Sequence, residues 1–310
     1  MISRETPLIL HHYPMSPFSE KIRAMLGYLE MEWQSALTTE MPPRPVLQTL
    51  AGGYRKIPVA QIGADVFCDT RTITPLLAEF AGQPQLTLEN CSEDIRRFVE
   101  KVEGKIFFAC VMYASGLKLN TKVLKSLSIW QIIRLMVDRV KMTRNAIVAM
   151  PSFGQASGLV SSYFEEMESM LTGDFLFGDQ PTIADFSAYH SLWFVREMGE
   201  KPAIRRYPAV NAWMDRIKAF GQGSPADIPG TKAIEAARFS EPAPLPVNAQ
   251  PHDLTGELVR IAPADYALDP TVGVLRACTD NTYIIARNDP DTGDVHVHFP
   301  REGFILGRAD

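Results

Sequence analysis

Cysteine is scarce in this 310-residue chain, with four in all. Cys68, Cys91, Cys110 and Cys278 form no CxxC pair and no zinc spacing. That excludes a dithiol redox centre and a zinc module, and it points to a reducing, cytoplasmic setting. Long apolar runs are missing too. The longest, Ile106 to Ala114, is too short to span a bilayer. Residues 1–7 are polar and lead into no extended apolar segment, so no secretory signal is expected. Nor is there an excess of positive charge. The net charge is −5, which argues against nucleic acid or a membrane as partner. What remains is ordinary for a folded protein, with 46% hydrophobic and 22% charged residues. The length suits two or three domains.

The densest signal lies at residues 13–23, Tyr-Pro-Met-Ser-Pro-Phe-Ser-Glu-Lys-Ile-Arg, after the apolar run Leu8-Ile9-Leu10. A strand runs into a loop, and a helix opens with Ser16 and Pro17. Serine is a favoured N-cap, and proline fits the first helical position because its missing N–H has no helical partner there. Ile22, Met25, Leu26 and Leu29 continue at helical spacing. The mouth of such a helix, with the Phe18 and Ser19 amides and the Ser16 hydroxyl, favours an anion.

A second signal follows at a distance. Lys56-Ile57-Pro58-Val59 enters a strand, Gly63-Ala64-Asp65 turns, and Val66-Phe67-Cys68-Asp69-Thr70 ends at a helix start. The spacing of Ile73, Leu76, Leu77 and Phe80 predicts the helix beyond. A third comprises Phe175-Leu176-Phe177-Gly178 and Thr182-Ile183-Ala184-Asp185. There Thr182 is a cap and Asp185 its reciprocal partner.

Together, over residues 8–221, these motifs resemble the cytosolic glutathione transferase superfamily. Ser-Pro-Phe looks like the motif of its serine-type members, closest to the tau-like pattern. Lys-Ile-Pro-Val resembles the cis-proline strand. Phe-Cys-Asp-Thr-Arg-Thr-Ile resembles the Glu-Ser-x-x-Ile motif with near relatives at both polar positions. The resemblance implies an α/β thioredoxin-like N-terminal domain over residues 1–84 and an all-α domain over 92–239. It also implies a homodimer, with glutathione as co-substrate and no metal. The activity it implies is transfer of glutathione thiolate to a small hydrophobic electrophile. A glutathione-dependent isomerase, dehalogenase or lyase, and a binding protein that has lost turnover, are the alternatives.

Residue roles come with the resemblance. Ser16 would activate the thiol, with Phe18 on the pocket floor. Ile57 would offer its backbone to the cysteinyl portion, held by a cis Pro58. Lys56, helped by Arg44, would meet the glycyl carboxylate. Thr70 would bind the γ-glutamyl carboxylate and Asp69 its ammonium. Phe107, Phe108, Val111, Met112 and Tyr113 would line the second-substrate pocket. The energetics are adequate. Lowering a thiol pKa from about 8.5 by about two units takes roughly 2.7 kcal/mol. A hydrogen bond to a charged group supplies ~1.5–3 kcal/mol and a helix N-terminus ~0.3–1 kcal/mol. With serine at both 16 and 19, the motif carries no thiol of its own, and Cys68 reads as a buried strand residue.

The helical region divides into patterns over 95–114 and 123–150, a loop over 151–158, and helices over 159–171, 183–198, 208–220 and 231–239. Residues 240–253 contain four prolines and read as a semi-rigid linker. Residues 254–310 change to period-two alternation and read as a small all-β module. At about 55 residues it is near the limit of independent stability, so it is expected to dock on the helical domain and to leave the thiol chemistry alone. His296 and His298 share a strand face, but no third ligand accompanies them, so they read as solvent or interface residues. Asp289 to Asp294 reads as a hairpin turn, since a calcium loop would need an acidic residue at its twelfth position. His11 and His12, inside a strand, read as structural.

Overall fold

A computed structural model describes residues 5–144 and 151–309. The first unit alternates strand and helix: Leu8–His12 (β1), Pro17–Tyr28 (α1), Glu32–Leu37 (β2), Pro45–Ala51 (α2), Val59–Ile62 (β3), Asp65–Cys68 (β4) and Thr70–Ala81 (α3). β1 is buried at all five positions. It pairs parallel with β2 and antiparallel with β3, which pairs antiparallel with β4. This is the thioredoxin-like arrangement.

The helical unit follows, with Glu93–Lys101 (α4), Phe107–Ala114 (α5), Leu117–Ser126 (α6), Ile129–Arg144 (α7), Phe153–Met170 (α8), Ile183–Trp193 (α9) and Pro208–Ala219 (α10). The first helical pattern is interrupted. A π-helical segment at Val102–Ile106, with Gly104 at φ −91° and ψ −107°, separates α4 from α5. The end of the second pattern, residues 145–150, lies outside the described residues. The expected loop at 151–158 is mostly helix, because Ser152 and Gln155 form a capping box that starts α8 at Phe153. At α9, Thr182 and Asp185 make the second capping box. Asp185 accepts hydrogen bonds from the Leu176 and Thr182 amides and the Trp213 indole. Gly27 on α1 is required by packing: a Cβ there would lie 2.3 Å from the Gly221 carbonyl oxygen.

Ser224–Asp227 (β5) then returns to the sheet beside β2, and Gly230–Arg238 (α11) lies against α2. The last strands are Leu258–Pro263 (β6), Thr271–Cys278 (β7), Thr282–Asp289 (β8), Gly293–Pro300 (β9) and Phe304–Arg308 (β10). Their main attachment is not to the helical unit, which they touch through Tyr266 against Phe108. They extend the first unit's sheet, giving the order β10-β6-β7-β8-β9-β4-β3-β1-β2-β5. The junction is parallel, with Asp65 opposite His296, Val66 opposite Val297 and Phe67 opposite His298. Without it β4 would be an unpaired sheet edge, which is a liability that folded proteins cover.

The sheet divides two cores. One packs Leu10, Met25, Leu26 and Ile73 with the helical unit. The other packs Ile9, Val59 and Val66 with α2, α11 and the module residues Leu275, Ile285, Val297 and Phe299. The module also caps α2. Arg287 donates to the Thr49 and Leu50 carbonyls at 2.8 and 3.2 Å, and the Thr271 hydroxyl donates to the Ala51 carbonyl at 2.9 Å. A cation at a helix C-terminus is favourably placed.

Candidate active site

A cavity of about 860 Å³ opens where the three units meet. Phe18, Lys56, Ile57, Pro58, Asp69 and Thr70 line it together. The Ile57–Pro58 peptide is cis. Ser16 is not among the lining residues; it is buried, 2% exposed. Its Oγ accepts the Ser19 amide at 3.2 Å, so that amide is not free for an anion as the motif suggested. Phe18 is wedged between Phe107 and His190, with ring centroids 4.6 and 4.8 Å away.

The mouth of α3 is built differently. Asp69 adopts φ 78° and ψ 148° while its side chain accepts the Arg71 amide at 3.1 Å. Such a conformation in a non-glycine residue costs ~1–3 kcal/mol, and strain of this kind concentrates at functional sites. The Tyr54 hydroxyl donates to the Asp69 carboxylate at 3.4 Å. Burial, then the charges of Asp69 and its neighbours, hold the Tyr54 hydroxyl far above its ordinary pKa, so it stays a donor.

Phe107 and Phe108 form the apolar wall of the cavity with Leu159, whereas Val111, Met112 and Tyr113 do not line it. Only the first turn of α5 reaches the opening; Val111 and Met112 lie on the same face one turn further along the helix, past the cavity. Arg44 does not line the cavity. It donates to the backbone carbonyls of Thr39 and Arg55, which ties the loop before α2 to the segment after it.

A buried charge cluster reaches the same cavity, which Glu103 and Arg71 also line. Lys21 of α1 pairs with Glu103, which also accepts the Ser187 hydroxyl at 2.8 Å. Burial alone would raise the Glu103 pKa, but Lys21, Arg71 and His190 bring it down to about 2. Burial, then the charge of Lys21, lowers His190 to about 4.

Several lining groups carry no recognisable signal in the sequence. Asp265, Tyr266, Glu302 and Phe304 reach the cavity from the C-terminal strands. Asp265 meets Lys56 Nζ at 2.6 Å and Glu302 meets Arg71 at 2.6 Å. Their only sequence signature is turn composition. His296 and His298 belong to the sheet junction. His298 Nε2 lies 2.8 Å from Asp65 Oδ1, and the other Asp65 oxygen accepts the Ala243 amide at 2.8 Å. Among the described residues no group of three or more metal-ligating side chains converges. Nor is any helix among them long and apolar enough to cross a membrane. The four cysteines are free and buried, and burial pushes the Cys68 thiol far above its ordinary pKa. His11 and His12, each lowered to about 4 by burial, bond to Gln61 and Ser35 at 3.0 Å.

Family models for the glutathione S-transferase N-terminal and C-terminal domains match residues 10–85 and 154–216. A GST-like protein from Pseudomonas syringae is 32% identical, with 98% of this chain and 100% of that one covered and a TM-score of 0.78. The chain belongs to the glutathione S-transferase superfamily. That match runs through the C-terminal strands, so the superfamily relative shares them. Two further structures are more distant and cover about two thirds of this chain. FzlA from C. crescentus is 22% identical over 69% of this chain and 88% of its own, with a TM-score of 0.47. A glutathione transferase family member from Pseudomonas fluorescens pf-5, solved with two glutathione bound, is 15% identical over 70% and 90%, with a TM-score of 0.47. A search of curated proteins finds no match.

Proposed function

We propose that the chain is a serine-type glutathione transferase that joins glutathione thiolate to a small hydrophobic electrophile. The observation that carries this reading is the cavity itself, where six residues from three separated motifs face one space beside an aromatic wall. In this reading Thr70 and the amides of α3 receive the γ-glutamyl carboxylate, and Asp69 opposes the ammonium. Ile57 pairs its backbone with the cysteinyl portion, and Lys56 serves the glycyl end. The thiol releases its proton to solvent, and Ser16 at the mouth of α1 donates a hydrogen bond to the sulfur anion. The sulfur then attacks an electrophilic carbon held against Phe107 and Phe108, beside the Phe18 floor, and as the C–S bond forms that carbon's leaving group departs to solvent with its bonding electron pair. The reading includes a homodimer in the cytoplasm, and the free, buried cysteines are consistent with reducing surroundings.

One observation favours a second reading, binding without turnover: the Ser16 hydroxyl is buried and already serves as a cap. Ser16→Ala separates the two. The expected result is a loss of conjugation of at least tenfold toward a generic aromatic electrophile, with about 1 kcal/mol of stability lost with the cap. A parent protein that binds glutathione and conjugates nothing is a binding protein. Equal rates in parent and variant contradict the role given to Ser16.

A further inference from the structure

The C-terminal strands bring a carboxylate and two aromatic rings to the Lys56 end of the cavity. Asp265, in the turn after β6, meets the Lys56 ammonium with both oxygens, at 2.6 and 2.9 Å. Its Oδ1 also accepts the Tyr266 amide at 2.7 Å, which fixes the carboxylate from a second side. The ammonium lies 4.2 Å from the Tyr266 ring centroid and 5.9 Å from that of Phe304. Tyr266 in turn packs edge-on against Phe108 at 5.8 Å. Carboxylate and rings therefore enclose the ammonium within a wall that continues to α5. Neighbouring cations are engaged alike: Arg71 pairs with Glu302, and Arg55 with Asp138 and Asp269.

A ligand carboxylate approaching Lys56 meets Asp265 at close range, and like charges there oppose each other. An uncharged carbonyl meets no such opposition. It accepts the third ammonium proton while the Lys56–Asp265 pair stays intact, and its substituent rests on the Tyr266 ring. Building on the glutathione reading above, we infer that Asp265 and Tyr266 make this end of the site selective for a thiol peptide whose terminus is uncharged, an amide or ester, over one ending in a free carboxylate. The C-terminal strands thus set the substrate class.

Calorimetric titration of the full chain with glutathione and with its glycyl ethyl ester tests this. The ester should bind at least threefold more tightly than glutathione. Asp265→Asn, whose folding is checked by its melting curve, should move the affinity ratio at least tenfold toward the free acid. A parent that prefers the ester by less than threefold, or that favours glutathione, overturns the inference while leaving the glutathione reading intact. So does a folded Asp265→Asn protein with an unmoved ratio. Absence of binding by both peptides to both proteins overturns the two together.

Discussion

The thioredoxin-like unit has two seams, and they are made of different materials. Toward the helices the contact is apolar, with one buried ion pair, Lys21 with Glu103, whose side chains are 3% and 11% exposed. Toward the C-terminal strands the contact is a backbone ladder over a second apolar core, with a buried Asp65–His298 hydrogen bond at the ladder, and its lysine and arginine ion pairs sit at the cavity rim. The acid side chains of those pairs, Asp265 and Glu302, are 37% and 68% exposed. Rim pairs of this kind contribute little to stability. Their consequence is electrostatic: they decide which charges a ligand meets. The buried pair fixes the fold, and the rim pairs tune the site.

The most damaging way to break the comparison is to delete residues 246–310. β4 would become an edge, and Val66, Val59 and Ile9 would lose Val297, Phe299 and Ile285 as partners in their core. That removal should exceed the ~5–15 kcal/mol that holds a typical domain together. The expected outcome is no soluble, cooperatively melting protein, read from yield and circular dichroism. A truncated chain that melts cooperatively would mean the two seams are independent after all.

Next in size is Lys21→Met on the helical seam. It leaves Glu103 buried and unpaired, at a cost of about 3–5 kcal/mol. Urea unfolding should show this as a lower midpoint. A comparable loss from Glu302→Gln, which removes the largely exposed partner of Arg71, would erase the distinction between the seams.

The third test is pH. His190 is held near 4 in the fold against an ordinary 6.5, so the unfolded chain binds more protons between those values. Stability should therefore fall as pH drops from 6.5 toward 4, by up to about 3 kcal/mol from this residue alone. The protein should take up protons on unfolding at pH 5. His190→Gln should take up about one proton fewer, as measured by calorimetry in buffers of different ionisation heat.

Much of this was legible in residues. Ser16-Pro17, Lys56 to Pro58, and Asp69-Thr70 each carry local chemistry, a cap or a strand entrance, and the fold brings the later two pairs to one cavity with Phe18. The capping box at Thr182 was equally local. What escaped was non-local. Pairing of β9 with β4 depends on an edge formed more than 200 residues earlier, and period-two alternation identifies a strand without naming its neighbour. Asp265 and Tyr266 look like turn residues until that pairing carries them to Lys56. The wall does not extend to Val111–Tyr113 because only the first turn of α5 reaches the cavity, and how far along a helix a cavity lies is set by tertiary packing. The positive φ of Asp69 follows from the surrounding strand and helix, not from its own type.

Glutathione affinity of Asp69→Asn tests the central claim most directly. Asparagine keeps a cap and tolerates positive φ, so the substitution removes the charge and little else. Calorimetry should show glutathione binding to the parent and at least a tenfold weaker affinity in the variant, with melting temperatures within a few degrees of each other. Equal affinities would show that Asp69 is only a helix cap, and the site proposed here would be wrong.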